Sequence, residues 1–308
     1  MTTRKTGWLE DMHPSGQLIA TAGVALFTGI VVTLLGLLLA LPFLGDQVLQ
    51  LMGEGTDLSH PDNIHLGRYM QIISHLGLFI LSSFLLAWLF GRSIFQYLYL
   101  NRFPRIEIYL LSALVIFAAL PLINYILELN MQMHLPKYLQ PVEEWMRRTE
   151  AAAERTTLAF LRVDTISGLF FNLFMIAVIP ALGEELMFRG VIQRIFLRWS
   201  SSTHIAVWTS ALIFSAIHLQ FFGFFPRMIL GALFGYMVVW SGSIWPAILA
   251  HFVNNAAAVI AFYLFHHQLT DDTLQNIGKG NDGIYLALLS LLVTLALLVA
   301  IRRLGRKG

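Results

Sequence analysis

Eight apolar runs dominate the sequence, at about residues 18–44, 69–90, 108–127, 169–182, 205–219, 228–240, 244–265 and 284–301. About 20 such residues span a bilayer as a helix, and in lipid only helices and closed barrels satisfy every backbone polar group. The predicted fold class is therefore all-α, a polytopic membrane protein with about eight transmembrane helices in a bundle. Composition agrees, with 57% hydrophobic and only 12% charged residues against roughly 25% charged in soluble domains. A net charge of +2 carries no nucleic-acid signature, and the absence of cysteine excludes disulfides, thiolate metal sites and a cysteine nucleophile. The partners expected are the lipid bilayer and molecules embedded in it. The first run is too long for a signal peptide's apolar region and reads as a retained span.

The run at 169–182 is short for a span and leads straight into Gly183-Glu184-Glu185-Leu186-Met187-Phe188-Arg189-Gly190. Helix continued to about Trp199 puts both carboxylates inside the membrane. The run at 228–240 is also short and ends at Ser241-Gly242-Ser243, read as a submerged turn. The chain divides into residues 1–167, three spans plus a connector, and 168–308, which carries the polar motifs and the last span. In the connector, 128–167, Pro141 opens a helix with Glu143/Arg147 and Glu144/Arg148 at i,i+4 spacing. It reads equally as an amphipathic interfacial helix or a solvated connector.

Loop charges favour cytoplasmic termini; the expected location is the cell membrane. Arg4, Lys5, Arg92, Arg102, Arg105, Arg189, Arg194, Arg198 and the RRLGRK tail then lie inside, with Asp46 to Asp62 and Asp271 to Asp282 outside. Five Lys/Arg between Lys137 and Arg162 fall on the opposite side.

Helix arithmetic brings distant polar residues to one depth. Glu184 and His218 each lie about 17 positions from the turn at Ser200 to Thr203, or roughly 25 Å at 1.5 Å per residue. Counting through the Ser241 turn puts His251 within one or two helical turns of the same level, with Asn255 on its face at i+4. Glu185/Arg189 at i,i+4 reads as an internal ion pair that fixes packing. Glu184 has no such obvious neutraliser, and an unpaired intramembrane carboxylate is a functional hypothesis by default. His75, Asn124 and Asn172 sit near span ends, where a helix-to-helix hydrogen bond accounts for them.

A glutamate, two histidines and an asparagine suit peptide hydrolysis. Glu184 with His218 can activate water, while His251 and Asn255 can donate to an oxyanion. The same residue types permit a catalytic zinc held by Glu184, His218 and His251 with water in the fourth position. The residues alone do not separate the two chemistries.

Glu184-Glu185-x-x-x-Arg189, Phe214-x-x-x-His218 and His251-x-x-x-Asn255, in this order on consecutive apolar helices, resemble the CAAX protease and bacteriocin-processing family of intramembrane proteases. The likeness covers roughly residues 168–266. It implies an eight-helix bundle around a water-filled cavity, with Glu184 and His218 activating water and His251 and Asn255 forming the oxyanion hole. Glu185 and Arg189 take supporting positions. It also implies a membrane-anchored, CAAX-type lipidated or transmembrane peptide substrate, cleaved by a glutamate mechanism that needs no cofactor, with zinc as the alternative. Two further classes fit a polar membrane bundle: a non-proteolytic scaffold, chaperone or immunity-type regulator, and a proton-coupled transporter. The transporter predicts repeated halves, and the sequence shows none.

Overall fold

The computed structural model describes residues 7–51, 60–268, 277–280 and 282–306. Arg4, Lys5, Asp271 and Lys307, used above to orient the chain, lie outside them. The described residues form helices and no strand. The longer ones, in chain order, are α1 (Pro14–Leu51), α2 (Pro61–Phe90), α3 (Ile106–Met131), α4 (Gln140–Leu161), α5 (Ile166–Ser200), α6 (Thr203–Ala216), α7 (Phe221–Ser241), α8 (Trp245–His266) and α9 (Gly283–Gly305). Seven of them, all but α4 and α6, are long and apolar enough to cross a membrane. The fifth run folds as α6, whose 14 residues cover only about 21 Å. The protein is an integral, multi-pass membrane protein.

With α4 set aside, successive helices run in opposite directions, so the ends of the bundle differ in chemistry. At one end Arg194 donates to the Tyr97 carbonyl, Arg198 to the Glu10 carbonyl, and Arg302 lies over Trp240. The other end holds α4, the α6–α7 connection and the start of α9. Inside the bundle α3 packs along α9, α6 along α7, and α8 against α3 and α5. Leucine-rich faces of α1 and α9 point outward, as lipid requires.

Close approach between α5 and α7 depends on two glycines. Arg189 and Gln193 of α5 donate to the carbonyls of Gly231 and Gly235 of α7, at 2.7 and 3.2 Å. A Cβ on Gly235 would stand 2.6 Å from Gln193 Oε1, and one on Gly231 would stand 3.1 Å from Arg189 Nη2. Small residues four apart let the backbones meet, as at other membrane helix interfaces.

The connector helix begins where Pro141 predicts. Glu143 bonds Arg147 at 2.7 Å, whereas Glu144 accepts from Gln140. Asn172 of α5 donates to the Phe160 carbonyl and ties the end of α4 to the bundle. Trp145 packs on Phe221, and Glu150 accepts from the Phe222 N–H. Thus α4 lies across the entrance between α2, α5 and α7.

Candidate active site

A cavity of about 760 Å³ opens beneath α4. Its polar wall includes Glu184 from α5, His218 after α6, His251, Asn254 and Asn255 from α8, and His75 from α2. Glu184, His218, His251 and Asn255, which helix counting sets at about one depth, all line this space.

Glu184 lies midway along the 35 residues of α5, about 27 Å from its start. Its side chain is buried and is not left alone, which corrects the expectation of a carboxylate without a neutraliser. His75 Nε2 stands 3.4 Å from Oε1, and His251 Nε2 stands 3.8 Å from Oε2. Reading His75 as a span-end hydrogen-bonding residue missed this contact. Its Nδ1 lies 3.1 Å from the Gln71 carbonyl. The Gln71 side-chain amide also stands 3.4 Å from Nδ1, so this nitrogen has a donor and an acceptor within reach, and Nε2 is the atom turned to the carboxylate.

Glu185 and Arg189 form the internal ion pair, with Nη1 to Oε1 at 2.8 Å and both side chains fully buried. The Arg189 guanidinium also lies 4.8 Å from the centre of the Phe214 ring and 5.4 Å from that of Phe234. Glu185 Oε2 and Arg189 Nε have no hydrogen-bond partner among the described residues. Desolvation costs of this size leave a buried pair little net stability, so its value lies in position. What it positions is His251. Glu185 Oε1 is 2.9 Å from His251 Nδ1, and Phe234 stacks on the imidazole at 5.1 Å.

His218 departs from the expectation that the fifth run is helical through Leu219. α6 ends at Ala216, and Leu219 has φ +52°. His218 stands in the terminal turn, where its Nδ1 donates at 2.7 Å to the Phe214 carbonyl, one of the acceptors a helix end leaves free. That bond leaves Nε2 as the acceptor nitrogen of the neutral ring. Asn255 Nδ2 donates to the Ile176 carbonyl at 3.1 Å, and its Oδ1 accepts from Asn254 at 3.1 Å. One Asn255 N–H is thereby left for another acceptor.

Three π-helical turns surround these residues: Leu76–Leu81 after His75, Leu173–Val178 around Ile176, and Leu186–Ile192 after Glu185. Such turns widen a helix by one residue and recur at functional sites. A Cβ on Gly183 would meet Phe79 Cβ at 2.9 Å, so this glycine admits α2 close to Glu184. Sequence reading also missed Asn254 and Arg227, which line the cavity.

Residues 166–257, which contain all three motifs, match the family model of the type II CAAX prenyl endopeptidase, Rce1-like. This segment resembles that family. The resemblance read from the motifs thus stands, and it supports CAAX-type intramembrane proteolysis in general terms. A curated relative is the uncharacterized protein YpbD of Bacillus subtilis (strain 168), 32% identical over 89 residues, or 28% of this chain and 42% of that one. The chain thus spans less than half the length of that relative. No solved structure matches.

Proposed function

We propose that the protein is an intramembrane endopeptidase that hydrolyses a peptide bond of a membrane-anchored protein or peptide, CAAX-type lipidated ones included. The observation that carries this reading is the shared cavity of Glu184, His218, His251 and Asn255 beneath α4. Water held between Glu184 and His218 Nε2 gives its proton to Glu184 as its oxygen attacks the scissile carbonyl. The oxyanion takes hydrogen bonds from the remaining Asn255 N–H and from protonated His251 Nε2, whose ring Glu185 and Arg189 hold in place. Glu184 returns the proton to the leaving amine, and His75 beside it shares the proton during turnover.

The alternative chemistry uses Glu184, His218 and His251 as zinc ligands. Among the described residues no three His, Asp or Glu side chains are arranged to hold one ion, and the steps proposed above use side chains alone. In this reading the arginine-rich end, with the termini, faces the cytoplasm of the cell membrane, and the cavity opens on the opposite side. The test compares new peptide termini in the membrane proteome of cells carrying the native protein or Glu184→Ala at matched folded levels. Termini that vanish in the variant support the peptidase; identical proteomes, in conditions where the protein is required, support a scaffold or regulator.

A further inference from the structure

Two arginines lie within the bundle near the cavity, and they differ in one respect. Arg189 is neutralised by Glu185. Arg227, on the first turns of α7, lines the cavity, yet among the described residues its hydrogen bonds go to one neutral residue: Nη2 donates to Gln220 Oε1 at 2.5 Å and Nη1 to the Gln220 carbonyl at 3.4 Å. Among the described residues, arginine ion pairs join Arg92 to Glu10, Arg147 to Glu143 and Arg189 to Glu185; Arg227 has no carboxylate at ion-pair distance, and the charges of Glu150 and Glu184 reach it only from farther off. A poorly hydrated cation normally has a charged partner.

The surroundings leave room for one. Arg227 also lines a second chamber of about 510 Å³, shared with Glu150, Glu154 and Thr157 of α4, that abuts the first. Glu150 is engaged there, since its Oε2 accepts from the Phe222 N–H at 2.9 Å. Gly223 lies beside the guanidinium, where an added Cβ would stand 3.3 Å from Nη2. Gln220 uses two of the five guanidinium N–H groups and leaves the others for a planar, two-oxygen acceptor.

We infer that Arg227 is a substrate-binding residue that recognises a carboxylate of the peptide, and so sets which bond comes to Glu184. This rests on the peptidase reading only for the second half of that statement. The carboxylate has two sources, the free C-terminal end of the peptide or an acidic side chain near the cleaved bond.

The probe is a panel of N-palmitoylated apolar peptides, each made as free acid and as C-terminal amide, with further amides carrying Asp or Asn at one position. Binding is measured to the full chain in nanodiscs with Glu184→Gln, and turnover with Glu184 intact. The free acid, or the Asp amide, should bind about 10- to 100-fold more tightly than its neutral twin, as a charge-assisted hydrogen bond provides. The preference should appear in KM rather than kcat. Arg227→Gln should bring the ratio to near one, and Arg227→Lys, which keeps the charge but loses the fork, should retain part of it. Preference for the free acid assigns the C-terminus as the source, and preference for Asp assigns a side chain.

Equal binding of charged and neutral twins, no binding of either, or a preference that survives Arg227→Gln overturns the inference. If Arg227→Gln does not fold, the twins on native Arg227 and the lysine variant decide. Arg227-dependent binding without any cleavage by the native protein defeats the peptidase and keeps the binding site. Equal cleavage of both twins does the reverse.

Discussion

His75 Nε2 faces Glu184 Oε1 at 3.4 Å across the contact between α2 and α5. An unprotonated Nε2 would set its lone pair against a carboxylate. The pair is stable with a proton on one member, which makes His75 a reservoir next to the proposed base. We expect His75→Ala to lower kcat about 10- to 100-fold, the usual loss when a group that orients a reacting residue is removed. Folding, checked by thermal unfolding in detergent, should change far less. Wild-type kcat in this variant would remove His75 from the mechanism.

Arg189→Met leaves the Glu185 charge buried without its cation, and should cost about 3–5 kcal/mol of stability. Glu185→Leu combined with Arg189→Met should recover most of that loss. It should not recover turnover, because His251 Nδ1 then has no carboxylate to hold it. Unfolding midpoints and peptide turnover of the single and double variants separate the two effects.

Glu143 gives a pH dependence outside the membrane spans. Its hydrogen bond from Arg147, then that of His134 and the Leu135 N–H, holds the carboxyl at about 2, well below the ordinary 4.5. A depressed folded-state pKa contributes stability above about 4.5 that is lost as pH falls through about 2. The start of α4 should loosen over that window. Hydrogen exchange of residues 137–147, corrected for intrinsic rate, should rise on acidification in the native chain and show little such rise in Glu143→Gln.

The parts of this site that were legible in the sequence follow from the fixed rise of a helix. Glu184, His218 and His251 were placed by counting from turns at Ser201 and Gly242, both of which adopt positive φ, and Glu185/Arg189 by i,i+4 spacing. The rest depends on tertiary packing. Nothing local tells that α2 approaches α5 at Gly183, so His75 was out of reach. The π-helical turns shift side chains by one position without a composition signal. Arg227 escaped because the apolar run was read from Met228, although a cation just inside a span start, behind Pro226, was a usable signal. The connector's helix was legible, but its place over the cavity was not, since an amphipathic helix fits a membrane surface and a cavity roof equally well.

The proposed chemistry draws its proton transfers from side chains alone. Treatment of the purified chain with a strong zinc chelator should therefore leave peptide cleavage unchanged. Loss of cleavage that zinc restores would transfer Glu184, His218 and His251 to metal ligation.

The central claim is that Glu184 activates water. Its most direct test is cleavage of the palmitoylated peptide panel by the purified full chain in nanodiscs, native against Glu184→Gln, with equal unfolding midpoints shown for both. The account predicts defined fragments from the native protein and a rate lower by at least about 10²-fold in the variant, the smallest loss usual for a general base. Equal rates in the two proteins would contradict it.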